Sequence, residues 1–410
     1  MLPRRNLTTP KEASRHIPGL DGIRGLAILA VITYHAARGL TYAGSHEQIA
    51  QGLVGVGWIG VDLFFVLSGF LITGILLDAQ GSPTFFRSFY ARRVLRIFPL
   101  YIVFVTIATV VAPALGWTTP QEGATLRSSQ GWYWSYLVNA MIARGGWPAA
   151  VWHTGHLWSL SVEEQFYLLW PAVVFAVGRK TLLRIALAAA VASAVLRAAF
   201  VFAQGPSLAM YVLLPVRMDG LAVGAVLAML AREPELWAAV RRWTPVGALV
   251  ALSALVMVYR RELIAPTARW TEIAAYPALA LLGGAAIVAV VDAPPGSSVD
   301  RVFAHPVLRF FGRYSYGLYV WHQLAIAWLA VHVLPPARLP VVGGSHLPGN
   351  AVFVLVGLAV SVGWALVSWN VVEYPFLALK RFVPYYMPSK KVTTPESSEY
   401  LAPTITKPSF

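Results

Sequence analysis

The chain contains no cysteine among its 410 residues. Disulfides, thiolate metal sites and a cysteine nucleophile are therefore excluded, and any covalent chemistry has to use another side chain. Charge is scarce too: 12% of residues are charged against 57% hydrophobic, and mean hydropathy is positive. Soluble domains carry about 25% charged residues, so this composition describes a polytopic membrane protein. Acidic residues are the scarcer sign, 18 against 32 Lys and Arg. The resulting formal charge of +14 would suit nucleic acid in a soluble chain. Here the basic residues stand in short clusters between apolar runs, where orientation in a membrane accounts for them, and no nucleic-acid partner is expected. No internal repeat is legible, which counts against an inverted-repeat transporter. The first 18 residues lack the apolar region and cleavage site of a removable leader, so the first spanning helix is expected to act as the insertion signal.

Runs long enough to cross about 30 Å of hydrocarbon occur near residues 19–40, 55–78, 97–117, 157–178, 181–203, 208–231, 245–260, 273–292, 314–334 and 350–372. They predict an all-α integral membrane protein, a bundle of about ten transmembrane helices. A shorter piece near 132–144, containing GWYWSYLVNAMIA, is rich in Trp and Tyr and suits a re-entrant or interfacial segment. Lys and Arg concentrate in cytoplasmic loops. With ten spans they cluster on one side, before residue 19, around 79–96, 179–184, 232–242 and 301–313, and in the tail. The other side holds only Arg38, Arg127, Arg144, Arg260, Arg261, Arg269 and Arg338. Both termini are therefore expected in the cytoplasm. The chain divides into a cytoplasmic segment over 1–18, a membrane domain over 19–379 and a polar, disordered tail over 380–410, too short for another domain.

Ionisable residues inside such spans are costly and point to function or to a structural network. Arg24 and His35 are eleven residues apart, three helical turns plus about 20°, so they share one face with a rise of about 16 Å. Arg24 lies toward the cytoplasm and His35 toward the outside; Asp21, one turn before Arg24, could simply pair with it. Asp62 falls in the outer half of the second span, with Ser68 nearer the middle. In the fourth span His156, Ser159, Glu163, Tyr167 and Trp170 recur at intervals of three or four, a polar and aromatic stripe that would face a cavity. His35, Asp62 and Glu163 can then meet at one outer level, where a carboxylate would orient an imidazole acting as general base. His153, His156 and His322 are rival bases. On the cytoplasmic side Arg92, Arg93 and Arg96 precede the third span. Arg93 and Arg96 stand one turn apart and can fork phosphate groups, although a basic juxtamembrane helix also binds anionic lipid. No metal site is expected.

Several segments, in order, resemble the acyltransferase-3 family of bacterial membrane O-acyltransferases. They are LDGIRGLAILAVITYHA, GVDLFFVLSGFLIT, FYARRVLRIFPLY and LWSLSVEEQFYLLWP, with weaker likenesses in RMDGLAVGAVLA, GRYSYGLYVWH and VVEYPF. Gln323 after His322, and Tyr374 where the family often has Arg, are departures. The resemblance covers about the first 375 residues and implies a stand-alone membrane module without the soluble hydrolase-like domain many relatives carry. It implies transfer of an acyl group, often acetyl, from cytoplasmic acyl-CoA to a hydroxyl of a glycan, lipid-linked sugar or small molecule outside. On that reading Arg93 and Arg96, with Arg92 and Ser68 nearby, hold the donor, whose thioester passes Arg24 to reach His35. Glu163 and Asp62 support His35, and Arg24, Ser68 or Tyr319 could stabilise the oxyanion. Direct transfer and an acyl-histidine intermediate both fit. A proton-coupled transporter or flippase of a glycan or lipid precursor is the alternative class, and the expected setting is the bacterial inner membrane.

Overall fold

The computed structural model describes residues 17–147, 153–262 and 264–383. Most of the expected N-terminal segment and tail lie outside the described residues. Long helices occupy the ten expected positions: α1 (Pro18–Ala37), α2 (Gly60–Asp78), α3 (Phe85–Thr106), α4 (Leu157–Ala176), α5 (Arg179–Gln204), α6 (Leu214–Leu230), α7 (Pro234–Arg261), α8 (Tyr276–Val291), α9 (Ser315–His332) and α10 (Leu347–Ser368). Among the described residues no strand forms beyond one isolated bridge, Val342 to Ser345. The protein is an all-α membrane protein.

Eight helical stretches are long and apolar enough to cross a membrane, and they contain α1, α2, α3, α5, α6, α7, α8 and α10. The exceptions are α4 and α9. With 20 and 18 residues they extend about 30 and 27 Å, so length does not disqualify them. Their composition does: α4 carries Ser159, Glu163, Glu164 and Gln165, and α9 carries Tyr316, His322 and Gln323. Both bury much of their surface inside the bundle, whereas α5 and α7 expose apolar rows such as Leu187, Val191 and Val195, and Leu249, Val256 and Met257, as lipid-facing helices do. The segment near 132–144 forms two short helices, Gln130–Trp134 and Val138–Gly145, neither long enough to span.

Close helix crossings set the frame. α2 and α6 touch backbone to backbone: a Cβ on Gly69 would overlap the Leu221 carbonyl, and one on Gly224 the Val66 carbonyl. Small residues let helices approach this way where lipid supplies no hydrophobic drive. Another such contact lies at the start of α1, where a short helix, Pro306–Arg313, rests against Gly25 through the Leu308 carbonyl. The LDGIRG segment thus fixes where Arg309 and Arg313 stand relative to Arg24.

Gly224→Val should overpack the α2–α6 crossing and cost about 1–3 kcal/mol, read as a lowered unfolding temperature in detergent. Gly247→Val, on α7 with open space where its Cβ would go, should leave that temperature unchanged.

Candidate active site

The stripe read on the fourth span is a largely buried ladder along α4, and each of its five residues has at least one partner, with His156 Nδ1 left without one. His156 Nε2 donates to the Val320 carbonyl at 3.1 Å, and Ser159 Oγ lies 2.5 Å from Tyr319 Oη, both partners on α9. Ser68 Oγ on α2 donates to Glu163 at 2.5 Å and lies 2.9 Å from Tyr167 Oη. Trp170 Nε1 donates to Thr73 Oγ1 at 2.9 Å. Glu163 and Ser68 are thus joined, and Glu163 rather than Glu164 belongs to the stripe.

At the His156 end of the ladder three imidazoles gather. His35 Nδ1 lies 3.1 Å from His322 Nε2 and 3.0 Å from the Val31 carbonyl. The His35 and His322 rings are 4.9 Å apart, and the His156 and His322 rings 5.0 Å. Three histidines are a familiar zinc donor set, yet their lone pairs do not converge here. His322 Nδ1 faces the Tyr319 and Leu318 carbonyls at 2.7 and 3.2 Å, and His156 Nε2 is committed to Val320. Among the described residues no group of three or more His, Asp or Glu is arranged to hold a metal.

At its other end the ladder meets the arginines. The Arg93 guanidinium sits 5.3 Å from the Tyr167 ring and 5.7 Å from that of Phe89. Beyond it opens a cavity of about 660 Å³ lined by Arg24, Arg96, Arg309 and Arg313, with Phe310, Tyr314 and Trp369 as aromatic walls and Asp21 and Glu373 as the acids. Arg24 also pairs with Asp21 at 3.3 Å, as their spacing suggested. Arg93 and Arg96 do not share the cavity: only Arg96 lines it. Arg92 points elsewhere, donating to the Lys380 and Val383 carbonyls at 3.2 and 2.8 Å, so it anchors the segment after α10. Arg309 and Arg313 counted in the sequence only as topological charge. Their i, i+4 spacing on one face of a short helix was the available signal.

The expected meeting of His35, Asp62 and Glu163 does not form. Asp62 pairs with Arg217 of α6 at 2.5 Å, both buried at 5% and 1% exposure. Arg217 lies 3.8 Å from the Tyr276 ring. Arg197 of α5 pairs with Asp219 at 2.7 Å and donates to the carbonyls of Val216 and Glu272. Asp62 thus belongs to a structural ion network tying α2, α5, α6 and α8, and His35 takes His322 as its partner.

A basic cavity at one end of this multi-pass membrane bundle is thus followed by a polar ladder that ends at a histidine pair. The chain belongs to the Acyl_transf_3 family, whose model, described as an acyltransferase domain, matches residues 17–370. It is 30% identical over 332 residues to the peptidoglycan O-acetyltransferase OatA of Listeria monocytogenes, covering 77% of this chain and 50% of that protein. It is 26% identical over 395 residues to a protein of Staphylococcus aureus (strain COL) named "Putative O-acetyltransferase SACOL0978", covering 90% and 58%. The chain therefore spans about half the length of these curated relatives. No solved structure matches it.

Asp62→Ala should destabilise the fold by about 3–5 kcal/mol, because it leaves the Arg217 charge buried and unpaired. Replacing both, as Asp62→Leu with Arg217→Met, should recover a large part of the unfolding temperature in the same detergent. A single variant as stable as its parent would separate Asp62 from the network.

Proposed function

We propose that the protein transfers an acyl group, acetyl by preference, from cytoplasmic acyl-CoA to a hydroxyl of a cell-envelope glycan or lipid-linked sugar on the outer side of the bacterial inner membrane, with both chain termini in the cytoplasm. The observation that carries this reading is the four-arginine cavity at the inner end of the ladder. Guanidinium groups are matched to phosphate oxygens, and the aromatic walls suit a nucleotide base. The donor's phosphates rest on Arg24, Arg96, Arg309 and Arg313, and its pantetheine arm follows the ladder outward past Arg93 and Glu163. Arg24 and His35 differ in height by about 16 Å, so a donor held inside can react outside without itself crossing. The acceptor is taken as a carbohydrate because OatA is a peptidoglycan O-acetyltransferase.

In the transfer His35 Nε2 takes the hydroxyl proton while the oxygen's electron pair forms the new C–O bond at the thioester carbonyl. The tetrahedral intermediate collapses with loss of the C–S bond, and the proton passes from His35 to the sulfur. Ser68 and Tyr319 are donors near this path. Group transfer, rather than the transporter alternative, follows from the family.

Purified protein given labelled acetyl-CoA and a peptidoglycan fragment should transfer label to the fragment. His35→Ala should lower the turnover at least about 10²-fold, the contribution of a general base; undiminished transfer in the folded variant would remove His35 from the chemistry. Arg96→Ala with Arg309→Ala should raise the KM for acetyl-CoA roughly ten- to a hundredfold, from two lost charged hydrogen bonds, with the acceptor KM little changed.

A further inference from the structure

We propose that His322 is the positioning residue of this reaction: a neutral imidazole that holds His35 as its Nδ1–H tautomer and leaves His35 Nε2 as the one basic atom of the pair. The proposal rests on His35 being the base, as argued above.

The assignment follows from which partners can only accept. His322 is fully buried, and its Nδ1 faces two backbone carbonyls, Tyr319 at 2.7 Å and Leu318 at 3.2 Å. A carbonyl oxygen accepts, so His322 Nδ1 bears the hydrogen, and in the neutral ring Nε2 is then a bare acceptor. That bare nitrogen lies 3.1 Å from His35 Nδ1. His35 Nδ1 must therefore carry a hydrogen, and the Val31 carbonyl at 3.0 Å is a second acceptor for it. The opposite arrangement fails at both rings. It would set a bare His35 Nδ1 against the Val31 carbonyl and a bare His322 Nδ1 against two carbonyls. Repulsion between lone pairs at three contacts selects the first arrangement.

His35 Nε2 is then the lone pair left over. It has no hydrogen-bond partner among the described residues, and it is absent from the buried atoms that lack one, so it is open to an incoming group. A proton arriving there leaves every existing hydrogen bond in place, because His35 Nδ1–H still donates to His322. A proton arriving on His322 Nε2 would instead confront His35 Nδ1–H, donor against donor. The pair accepts one proton, at one atom, and His322 exchanges none. The His156 ring, 5.0 Å away and locked by its own bond to Val320, packs beside His322 and holds its plane.

Ring-15N-histidine labelling of the full chain in lipid nanodiscs, with His35 assigned by difference against His35→Ala, reads the tautomer directly by solid-state NMR. A protonated Nδ1 and a bare Nε2 on His35 are expected; a protonated Nε2 in the neutral ring would overturn the proposal. Kinetics give the second readout. His322→Leu should lower kcat by about 10²–10⁴ with the acetyl-CoA KM unchanged. His322→Gln, whose Oε1 can accept in place of Nε2, should regain at least about tenfold over the Leu variant. Equal loss in both folded variants, or parental kcat in His322→Leu, would overturn it. If instead His35→Ala retains transfer, the base reading falls, while the tautomer spectrum still decides the pairing.

Discussion

A polar stripe buried inside a membrane bundle has to be paired along its whole length, and that constraint organises this molecule. A polar group left without a partner costs about 1–3 kcal/mol in a protein interior, and lipid offers no remedy. From His156 to Trp170 the stripe rises about 21 Å. Its outer rungs find partners on α9 and its inner rungs on α2. Each bond fixes the height of a neighbouring helix as well as its rotation. Sliding α9 by one turn relative to α4 would separate Ser159 from Tyr319 and His156 from Val320 together. The same requirement explains why α4 and α9 fall outside the helices apolar enough to cross by composition: they are solvated by each other.

A second buried polar system does structural work a short distance away. Asp62 and Gly69 on α2 are seven residues apart, about 20° short of two full turns, so both face α6. One closes the ion pair with Arg217, and the other admits the Leu221 carbonyl. Ser68, six residues from Asp62, is turned about 120° away from it and faces α4 instead. One helix thus serves two interfaces, the first built of close backbone contact and charge, the second of the hydroxyl and carboxylate of the ladder.

That division marks what the sequence could and could not supply. Periodicity located the spans, and it found the α4 stripe because all five members lie on one helix. Depth was legible only in part: counting residues from the span ends put Glu163 at one outer level with His35 and Asp62, whereas its bond to Ser68 sets it further along the ladder, at the middle level expected for Ser68. Rotation about the helix axis was not legible, since an isolated Asp on an apolar helix has no neighbours in sequence to say which way it points. Asp62 therefore looked like a partner for His35 when its face is turned to α6. The true partner, His322, lies 287 residues further along the chain, and only the packing of α9 on α1 brings the two rings together. Arg309 and Arg313 were hidden for another reason. A cytoplasmic arginine serves topology by default, and only the glycine contact with α1 shows that their short helix stands over the cavity.

The distribution of charge along the path bears on the chemistry proposed for it. Cations concentrate at the inner end, in Arg24, Arg93, Arg96, Arg309 and Arg313, and the outer end is a neutral histidine pair. Had the base been supported by a carboxylate, that anion would have needed a cation of its own to meet the cost of burial. A neutral imidazole whose Nδ1–H is held by the backbone of its own helix has no such need. It offers His35 an acceptor without adding a charge, and the outer site becomes cationic only while a proton rests on His35. On the proposed function, a phosphate-bearing donor is drawn to the arginine cavity and not to the histidine pair, which keeps its phosphates and its thioester in register with the two ends of the ladder.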